Sequence, residues 1–496
     1  MTPESKALYF SEMNPLSRKI RALTLAAFAF LVVGLANAKP VHILVTGDMH
    51  GWLQPQIVEG QTLGGAAEMF AYWKKVEHYR RGDFLVLSAG DVATGPALSS
   101  VYKGAPAVET MNAMEYDASA LGNHEFDFGL DQFKILGRLA QFPFLSANVL
   151  GGESGEDTLV PAFCIKEKLG GKIGLIGLTT TALKGLTLAG GLRVTGYAEA
   201  LRRAASQARA KGAQVLLVIA HVPLDELKAL AAQGGDLGIP VMMGGHSHEL
   251  GQVREPASGT WIVNSGEWWK TYSRIELDYD PATGKTNLQS ARQVWLRQKQ
   301  AGADARVKTL IAGWQAKLDA DPQYGRVLGH LSSRLVRFWP VSNFVCDAWL
   351  AMDPESDVAL NNDGALRQDL EPGPLTRAVL VGLLPFNDAL WRLRLTGRQL
   401  LDYLPKDEGR MGMAGLFRKG GIYVLSRTGK PLDPKAVYRV LLNNYMAETS
   451  PLLKAADPRP VVVEKDWRDP VERWLLQHPS SPEKPLEAIL DSQPRL

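Results

Sequence analysis

The 496-residue chain has little cysteine, with only Cys164 and Cys346. The two residues fall in what the sequence pattern divides into different domains, and each stands among apolar neighbours. Buried free thiols are therefore a better interpretation than a disulfide, although export would permit one. The sequence does not favour cysteine chemistry.

Long apolar runs are also lacking, except near the N-terminus. Arg18, Lys19 and Arg21 precede an apolar run of 14 residues, Ala22–Leu35, which the small residues Ala36-Asn37-Ala38 follow. This run is shorter than the ~20 residues that cross a bilayer. The pattern predicts that residues 1–38 are a signal peptide and that the mature protein is periplasmic or secreted, without stable membrane insertion. The alternatives are a retained anchor and a true start at Met13.

The chain also lacks a large excess of positive or negative charge. Lys and Arg number 55 against 52 for Asp and Glu, and the predicted signal peptide holds four of these bases and two of the acids. The near balance gives no reason to expect a nucleic acid as partner. With 46% hydrophobic and 22% charged residues, the composition is that of a soluble globular protein, and the length suggests two or three domains.

The first half of the chain alternates apolar, β-rich runs with segments of helical spacing. We expect buried strands at Val41–Thr46, Phe84–Ser88, Lys172–Leu178, Gln214–Ala220 and Pro240–Met243, and final strands near Trp261–Asn264 and Ser273–Tyr279. Helices are expected at Gly64–Tyr79, Leu130–Leu139 and Ala198–Lys211. This order predicts an α/β sandwich over residues 39–289.

A composition change marks the second half. Ser290–Leu318 is polar and helix-prone, which predicts a linker helix within residues 290–323. A second domain over residues 324–496 is expected to contain a helix at Asn343–Met352, a strand at Asp357–Leu360 and a strand followed by a helix within Leu390–Leu404. The last 30 residues are rich in proline and charge, so we expect them on the surface.

Polar side chains with metal-binding groups follow five of the apolar segments in the first half. They are Asp48 and His50, Asp91, Asn123 and His124, His221, and His246 and His248, and they include five of the nine histidines in the chain. One histidine at a strand end is usually a satisfied hydrogen-bonding residue. Because sites form at the carboxyl ends of strands in α/β sheets, the repetition favours one metal site instead.

The ligand types indicate which ions this site would take. Imidazole and carboxylate groups suit Zn, Mn, Fe or Co. Six to eight ligands exceed the need of one tetrahedral ion, which argues for two divalent metal ions. A carboxylate can bridge two cations ~3.5–4 Å apart, and such a pair clamps a phosphoryl group.

The combined motifs resemble those of the calcineurin-like metallophosphoesterases, and more narrowly the 5′-nucleotidase and UDP-sugar hydrolase family. These motifs are Asp-x-His, Gly-Asp, Gly-Asn-His-Glu-Phe-Asp, a strand-end His and Gly-His-x-His, in this order over residues 41–280. The resemblance implies a four-layer α/β sandwich and a smaller C-terminal α/β domain. It also implies a metal-dependent phosphoester hydrolase that acts on a small molecule, a nucleotide in the first instance, by in-line attack of an activated water.

The resemblance further implies a role for each motif residue. Asp48, His50 and His248 would hold one ion, Asn123, His221 and His246 the other, and Asp91 would bridge them. His124 would sit over the phosphate, paired with Asp127, and stabilise the leaving oxygen or the developing charge. The alternative for Asp127 is an N-cap of the helix that begins near Leu130. Relatives often have Gln at the position of His248.

The C-terminal half matches the family more loosely. Arg367 and Phe386 are implied substrate-binding residues, with core packing as the alternative for Phe386. Relatives carry a Gly-Gly-Asp-Gly run where this chain continues from Asn443 without it. Hydrolysis is therefore better supported than any particular nucleotide substrate.

Two other functions compete with phosphoester hydrolysis. A thiosulfohydrolase of sulfur oxidation uses a similar two-metal domain, but Asp127 argues against it. A non-catalytic secreted binding protein would have lost metal ligands, and none of the expected ligands is missing.

Overall fold

The computed structural model describes residues 39–58, 60–151, 157–168, 171–183, 191–280, 285–297, 301–405, 411–491 and 495. The predicted signal peptide, residues 1–38, lies outside the described residues. Within the described ranges, no helix combines the length and the apolar character needed to cross a membrane.

The first sheet has six strands, and its central strands are the β-rich runs expected from the sequence. Its order is Thr286–Trp295, Thr271–Tyr279, Lys39–Thr46, Phe84–Ser88, Ala118–Ala120 and Phe144–Leu145. The last four strands run parallel, whereas the first two pair antiparallel with their neighbours. Parallel strands need cover on both faces, which explains why their residues are apolar throughout.

The second sheet also has six strands. Its order is Leu250–Arg254, Trp261–Ser265, Val241–Gly244, Val215–His221, Gly171–Thr179 and Phe163–Lys168. The four inner strands are parallel, and both edge strands are antiparallel.

The two sheets pack face to face, with helices on the outer side of each. Ile43 and Leu87 of the first sheet share one buried cluster with Leu217 and Met243 of the second. The helices that cover the first sheet are Ala66–Lys75, Ala97–Val101, Ala105–Ala113 and Leu130–Leu139, and those that cover the second are Tyr197–Ala210 and Leu224–Gln233. The predicted four-layer α/β sandwich is confirmed.

Short elements complete this half. They are the paired strands Gln56–Val58 and Gln61–Leu63, the paired strands Val149–Leu150 and Arg193–Val194, and the 3₁₀ turns His124–Phe126 and Gly235–Leu237.

The linker helix predicted for residues 290–323 was partly wrong. Residues up to Trp295 belong to the edge strand Thr286–Trp295, because pairing along Thr271–Tyr279 outweighs the helix propensity of this polar segment. The helix is Ala305–Asp319, capped by the Asp304 side chain, and it packs on the first sheet's helices rather than lying free between domains.

The C-terminal half is built on a five-stranded sheet. Its order is Gly412–Ala414, Val358–Asn361, Val437–Asn443, Leu390–Thr396 and Val461–Glu464. Helices Val341–Met352, Arg377–Leu383 and Arg468–Gln477 cover one face, and Gly397–Tyr403, Asn444–Thr449 and Pro451–Ala456 cover the other. The strand pairs Val327–Leu331 with Gly373–Thr376 and Leu416–Lys419 with Ile422–Leu425, and the 3₁₀ turns Asp363–Ala365 and Leu486–Ala488, lie outside this sheet.

The expectation that the last 30 residues lie on the surface was wrong for their first part. Trp467, Val471 and Leu475 recur every fourth residue and are fully buried in the C-terminal core. The Trp467 indole donates a hydrogen bond to the carbonyl of Phe386, 3.0 Å away. The apolar stripe of this helix therefore outweighs the polar composition of the tail.

Both cysteines are free, as expected. Cys346 is buried, whereas Cys164 is only partly buried.

Candidate active site

The predicted ligands converge at one edge of the sandwich because the strands before them are parallel neighbours. Each ligand stands at, or within a few residues after, the carboxyl end of one strand. Asp48, His50, Asp91 and Asn123 follow strands of the first sheet, whereas His221, His246 and His248 belong to the second. The side chains therefore meet across the two sheets, as the sequence predicts.

Most of these ligands lie on turns with an uncommon backbone. Asp48, His50, Asp91, His246 and His248 have positive φ angles of 48°, 44°, 53°, 75° and 57°. Such angles are rare for residues other than glycine, and they cluster at functional sites held by their surroundings. Here the backbone NH groups of Asp48 and His50 donate to the carbonyls of Gly90 and Asp91, at 3.1 and 2.9 Å.

One group of ligand atoms surrounds Nε2 of His221. This nitrogen lies 3.0 Å from Asp91 Oδ2, 3.1 Å from Asn123 Oδ1 and 3.1 Å from His246 Nδ1. Asp91, His221 and His246 form one of the groups with the spacing of a metal site.

A second group lies beside the first and shares Asp91 with it. His50 Nε2 is 3.1 Å from His248 Nε2, and His248 Nε2 is 3.8 Å from Asp48 Oδ1. Asp91 Oδ2 lies 3.7 Å from His50 Nε2. One carboxylate oxygen thus lies within 4 Å of a histidine nitrogen from each group.

Hydrogen bonds at the far side of the rings decide which nitrogens face the site. The Nδ1 atoms of His50 and His221 lie 3.2 and 3.0 Å from the carbonyls of Thr94 and Ala89, which can only accept, so both Nδ1 atoms donate. The Nδ1 of His248 lies 2.5 Å from the Glu267 carboxylate. With Nδ1 engaged in this way, Nε2 is the ring nitrogen of all three histidines that faces the site and is available to a metal ion.

The donor set fits divalent ions in type and spacing. Ligands that lie ~2.0–2.1 Å from a tetrahedral ion are about 3.3 Å apart, close to the nitrogen and oxygen separations here. Imidazole nitrogens with carboxylate and amide oxygens are ligands of Zn, Mn, Fe and Co.

The pKa shifts of three ligands, His50, His246 and Asp91, also favour metal binding. Burial lowers the pKa of His50 well below its usual value and that of His246 to about 4. Burial acts to raise the pKa of Asp91, but His221 and His124 outweigh it and hold that pKa well below the usual range. For His221, burial acts to lower the pKa while Asp91 raises it to about 9, so a proton and a metal ion would compete there.

His124 and Asp127 form the pair that the sequence predicts. His124 Nδ1 lies 2.6 Å from Asp127 Oδ2, and its Nε2 accepts from Arg367 Nη2 at 2.9 Å. His124 also lies within metal-site spacing of His50 and Asp91, but both of its nitrogens already have partners. The alternative role of Asp127 as N-cap is not observed, because Gly129 occupies that position of helix Leu130–Leu139 without a side-chain hydrogen bond.

A cavity of 410 Å³ opens from this pair toward the C-terminal half. The Phe386 ring stacks on His124 with centroids 5.9 Å apart, and the Arg367 guanidinium lies 5.2 Å from the Phe386 centroid. Phe386 also packs near the buried Trp467, at 6.4 Å between centroids, so it both lines the cavity and borders the core. The core packing of Phe386 is thus observed, and its role in substrate binding stays a prediction.

The family models divide the chain in the same way as the fold. The model described as "Calcineurin-like phosphoesterase" matches residues 41–250, and that described as "5'-nucleotidase, C-terminal domain" matches residues 332–454. The chain belongs to the 5′-nucleotidase family of metallophosphoesterases. Calcineurin-like phosphoesterases are hydrolases that use divalent metals, and this metallophosphoesterase is a phosphoester hydrolase with matching ligand clusters.

Two curated relatives cover most of this chain. The 5′-nucleotidase of Homo sapiens is 26% identical to this chain, and the match covers 88% of this chain and 88% of the human protein. Endonuclease YhcR of Bacillus subtilis is 27% identical over 82% of the chain, which spans only 37% of the length of that relative.

Solved structures share the fold over nearly the whole length. The 5′-nucleotidase precursor of Thermus thermophilus superposes with a TM-score of 0.78 at 24% identity, covering 92% of this chain and 99% of its own. The sulfate thiohydrolase SoxB, also from Thermus thermophilus, has a TM-score of 0.71 at 18% identity, covering 92% of this chain and 96% of its own.

Several site residues of this metallophosphoesterase could not be assigned from the sequence. Asn444, Tyr445 and Glu448 line the C-terminal side of the cavity, where the chain departs from the Gly-Gly-Asp-Gly pattern. That departure was the only signal available for them. Glu125, which adjoins His124 in the sequence, has a structural role, since its carboxylate accepts backbone NH groups of Gly122 and Val92 at 2.7 and 2.6 Å.

Proposed function

We propose that this metallophosphoesterase is exported and releases phosphate from small phosphate esters, nucleotides in the first instance, with two divalent ions bound. The observation that carries this proposal is the meeting of two groups of acceptor atoms at one oxygen, Asp91 Oδ2. One group contains Asn123, His221 and His246, and the other Asp48, His50 and His248.

Each protein group beside the metal ligands has a role in this reaction. Bound divalent ions supply positive charge that activates water and neutralises phosphoryl oxygens. His124, oriented by Asp127, would donate a proton or hydrogen bond to the leaving oxygen from Nε2, once a substrate phosphate draws Arg367 away from that nitrogen and Nε2 is protonated. Arg367 binds the phosphate through its guanidinium, and Phe386 offers a flat apolar surface to a planar leaving group.

Export and the domain boundaries are supported by the sequence pattern. A basic segment, a short apolar run and a small-residue site precede the first strand, as in a signal peptide. We place the two-metal domain at residues 39–289 and the C-terminal specificity domain at residues 324–496.

The likeness to SoxB supports a second candidate at the level of fold alone, namely release of sulfate from a thiol conjugate. The Asp127–His124 pair favours phosphate esters over this alternative, because it supplies a proton that a nucleoside alkoxide needs to leave and a thiolate does not.

A substrate screen with Mn, Co or Zn added, and with the ions chelated, tests the proposed function. It includes nucleoside monophosphates, UDP-sugars, cyclic nucleotides, an aryl phosphate and a cysteine S-sulfonate conjugate. We expect metal-dependent phosphate release, strongest with a nucleotide. Sulfate release without phosphate release would establish the alternative, and no hydrolysis with any ion would refute the proposed function.

A further inference from the structure

A carboxylate outside the predicted ligand set contacts the ligand His248. Glu267 lies in the 266–270 loop, Gly266–Lys270, which joins strand Trp261–Ser265 of the second sheet to strand Thr271–Tyr279 of the first. Glu267 Oε2 lies 2.5 Å from His248 Nδ1, and both side chains are largely shielded from solvent. The contact leaves Nε2 of His248 as the atom that faces the site.

Glu267 is itself held in place by a cation. Lys270 Nζ donates to the second carboxylate oxygen, Oε1, at 2.7 Å. The same ammonium lies 4.3 Å from the centroid of the Trp268 ring, which stacks on Trp52 at 5.1 Å. Two opposing contacts therefore hold the Glu267 carboxylate between a lysine and an imidazole.

The 266–270 loop is also attached to Asp48, another ligand of the same group. The backbone NH of Trp268 donates to the carbonyl of Asp48 at 2.9 Å, and the Gln56 side chain donates to the Trp268 carbonyl at 3.0 Å. Trp268 and Trp269 have positive φ angles of 60° and 58°, which these contacts sustain. The loop is thus a built support for the Asp48–His50–His248 group.

We propose that Glu267, braced by Lys270, is a positioning residue that fixes the tautomer and orientation of His248 and so raises the affinity of one of the two metal sites. This inference rests on the proposed function, in which an ion occupies the Asp48–His50–His248 group. A carboxylate that accepts from the far nitrogen of a histidine ligand increases the basicity of the ligating nitrogen, and loss of such a partner typically lowers metal affinity about 10–100-fold.

Metal titration of the full chain tests the proposal independently of activity. The protein is stripped with a chelator and titrated with Co²⁺, whose visible absorption reports ligand geometry, with zinc competition for the tightest site. Wild type should bind two equivalents. In Glu267→Gln, one equivalent should weaken about 10–100-fold while the other keeps its affinity. Lys270→Met should weaken the same equivalent by less.

Glu249→Gln is the matched control. Glu249 adjoins His248 in sequence and its side chain is exposed, so this variant removes the same charge nearby without touching the ring. It should bind both equivalents as wild type does. In a His248→Ala background, Glu267→Gln should cause no further loss, because the residue acts through the imidazole.

The outcomes separate this inference from the proposed function. Two intact equivalents in Glu267→Gln, together with wild-type hydrolysis, would overturn the role of Glu267 alone. An equal further loss in the His248→Ala background would also overturn it. Should Glu267→Gln fail to fold, Lys270→Met decides, and unchanged titration of that variant overturns the proposal. A wild-type chain that binds no divalent ion would instead remove the proposed function.

Discussion

Replacing His124 by alanine should abolish most turnover while leaving metal binding intact. Its two nitrogens contact Asp127 at 2.6 Å and Arg367 at 2.9 Å, so the ring is fixed at the mouth of the cavity without contributing a free metal ligand. A positioned proton donor accelerates a reaction about 10²–10⁴-fold. Because each tenfold change in rate corresponds to about 1.36 kcal/mol, losing this acceleration corresponds to about 2.7–5.4 kcal/mol of transition-state stabilisation.

The assay compares two leaving groups in the same variant. A nucleoside alkoxide leaves poorly without a proton, whereas p-nitrophenolate leaves readily without one. The kcat of His124→Ala should therefore fall more for a nucleoside monophosphate than for p-nitrophenyl phosphate. Metal content, measured by mass spectrometry, should stay at the wild-type level. His478→Ala, which alters an exposed histidine of the C-terminal half, is the control and should keep full activity.

Two results would refute this reasoning. A loss below tenfold with both substrates would show that His124 is not a proton donor or charge stabiliser. A loss of bound metal in step with activity would instead make His124 a metal ligand. Its Nε2 lies 3.9 Å from Asp91 Oδ2, which is close enough for the two to share an ion.

Three further predictions follow from the site and the core. Asp91→Ala should lose both bound metal and turnover, measured on the same preparation, since its Oδ2 faces both ligand groups; retained metal and activity would contradict its bridging position. Trp467→Ala should lower the free energy of unfolding, measured with denaturant, by about 3–5 kcal/mol, because Trp467 is fully buried. Trp295 is half-exposed, so Trp295→Ala should lower that free energy much less. Burial, with Asp127 adding to it, raises the pKa of Asp388 from 3.8 to about 7. As the pH rises, the Asp388 carboxyl therefore ionises in the unfolded chain before it ionises in the folded chain, and the free energy of unfolding falls between these two pKa values. Asp388→Asn should raise the Tm at pH 8 but not at pH 4. An equal rise at both pH values would refute this.

The convergence of the expected metal ligands could be predicted from the sequence because their positions follow from topology. Asp48, Asp91 and His221 each follow a short apolar run, and parallel strands bring such ends to one edge. The Asp127–His124 pair was also predictable, since the two residues are three positions apart in one tight turn and no distant contact is needed.

Residues that act through long-range contacts could not be predicted. Glu267 has no sequence motif, and its contact with His248 depends on the register in which strands Leu250–Arg254 and Trp261–Ser265 pair. Tyr445 reaches the cavity because the two halves of the chain meet there. The strand Thr286–Trp295 has the composition of a helix, and only pairing with its neighbour makes it a strand.

The division of the ligands between the two sheets has a consequence for cleaved chains. Asp48, His50, Asp91 and Asn123 precede residue 152, whereas His221, His246 and His248 follow residue 156. A chain cut between these points yields two fragments, each with part of the ligand set. Neither fragment alone carries the complete set of expected ligands. Phosphate release by a mixture of the two fragments would therefore require that they reassemble.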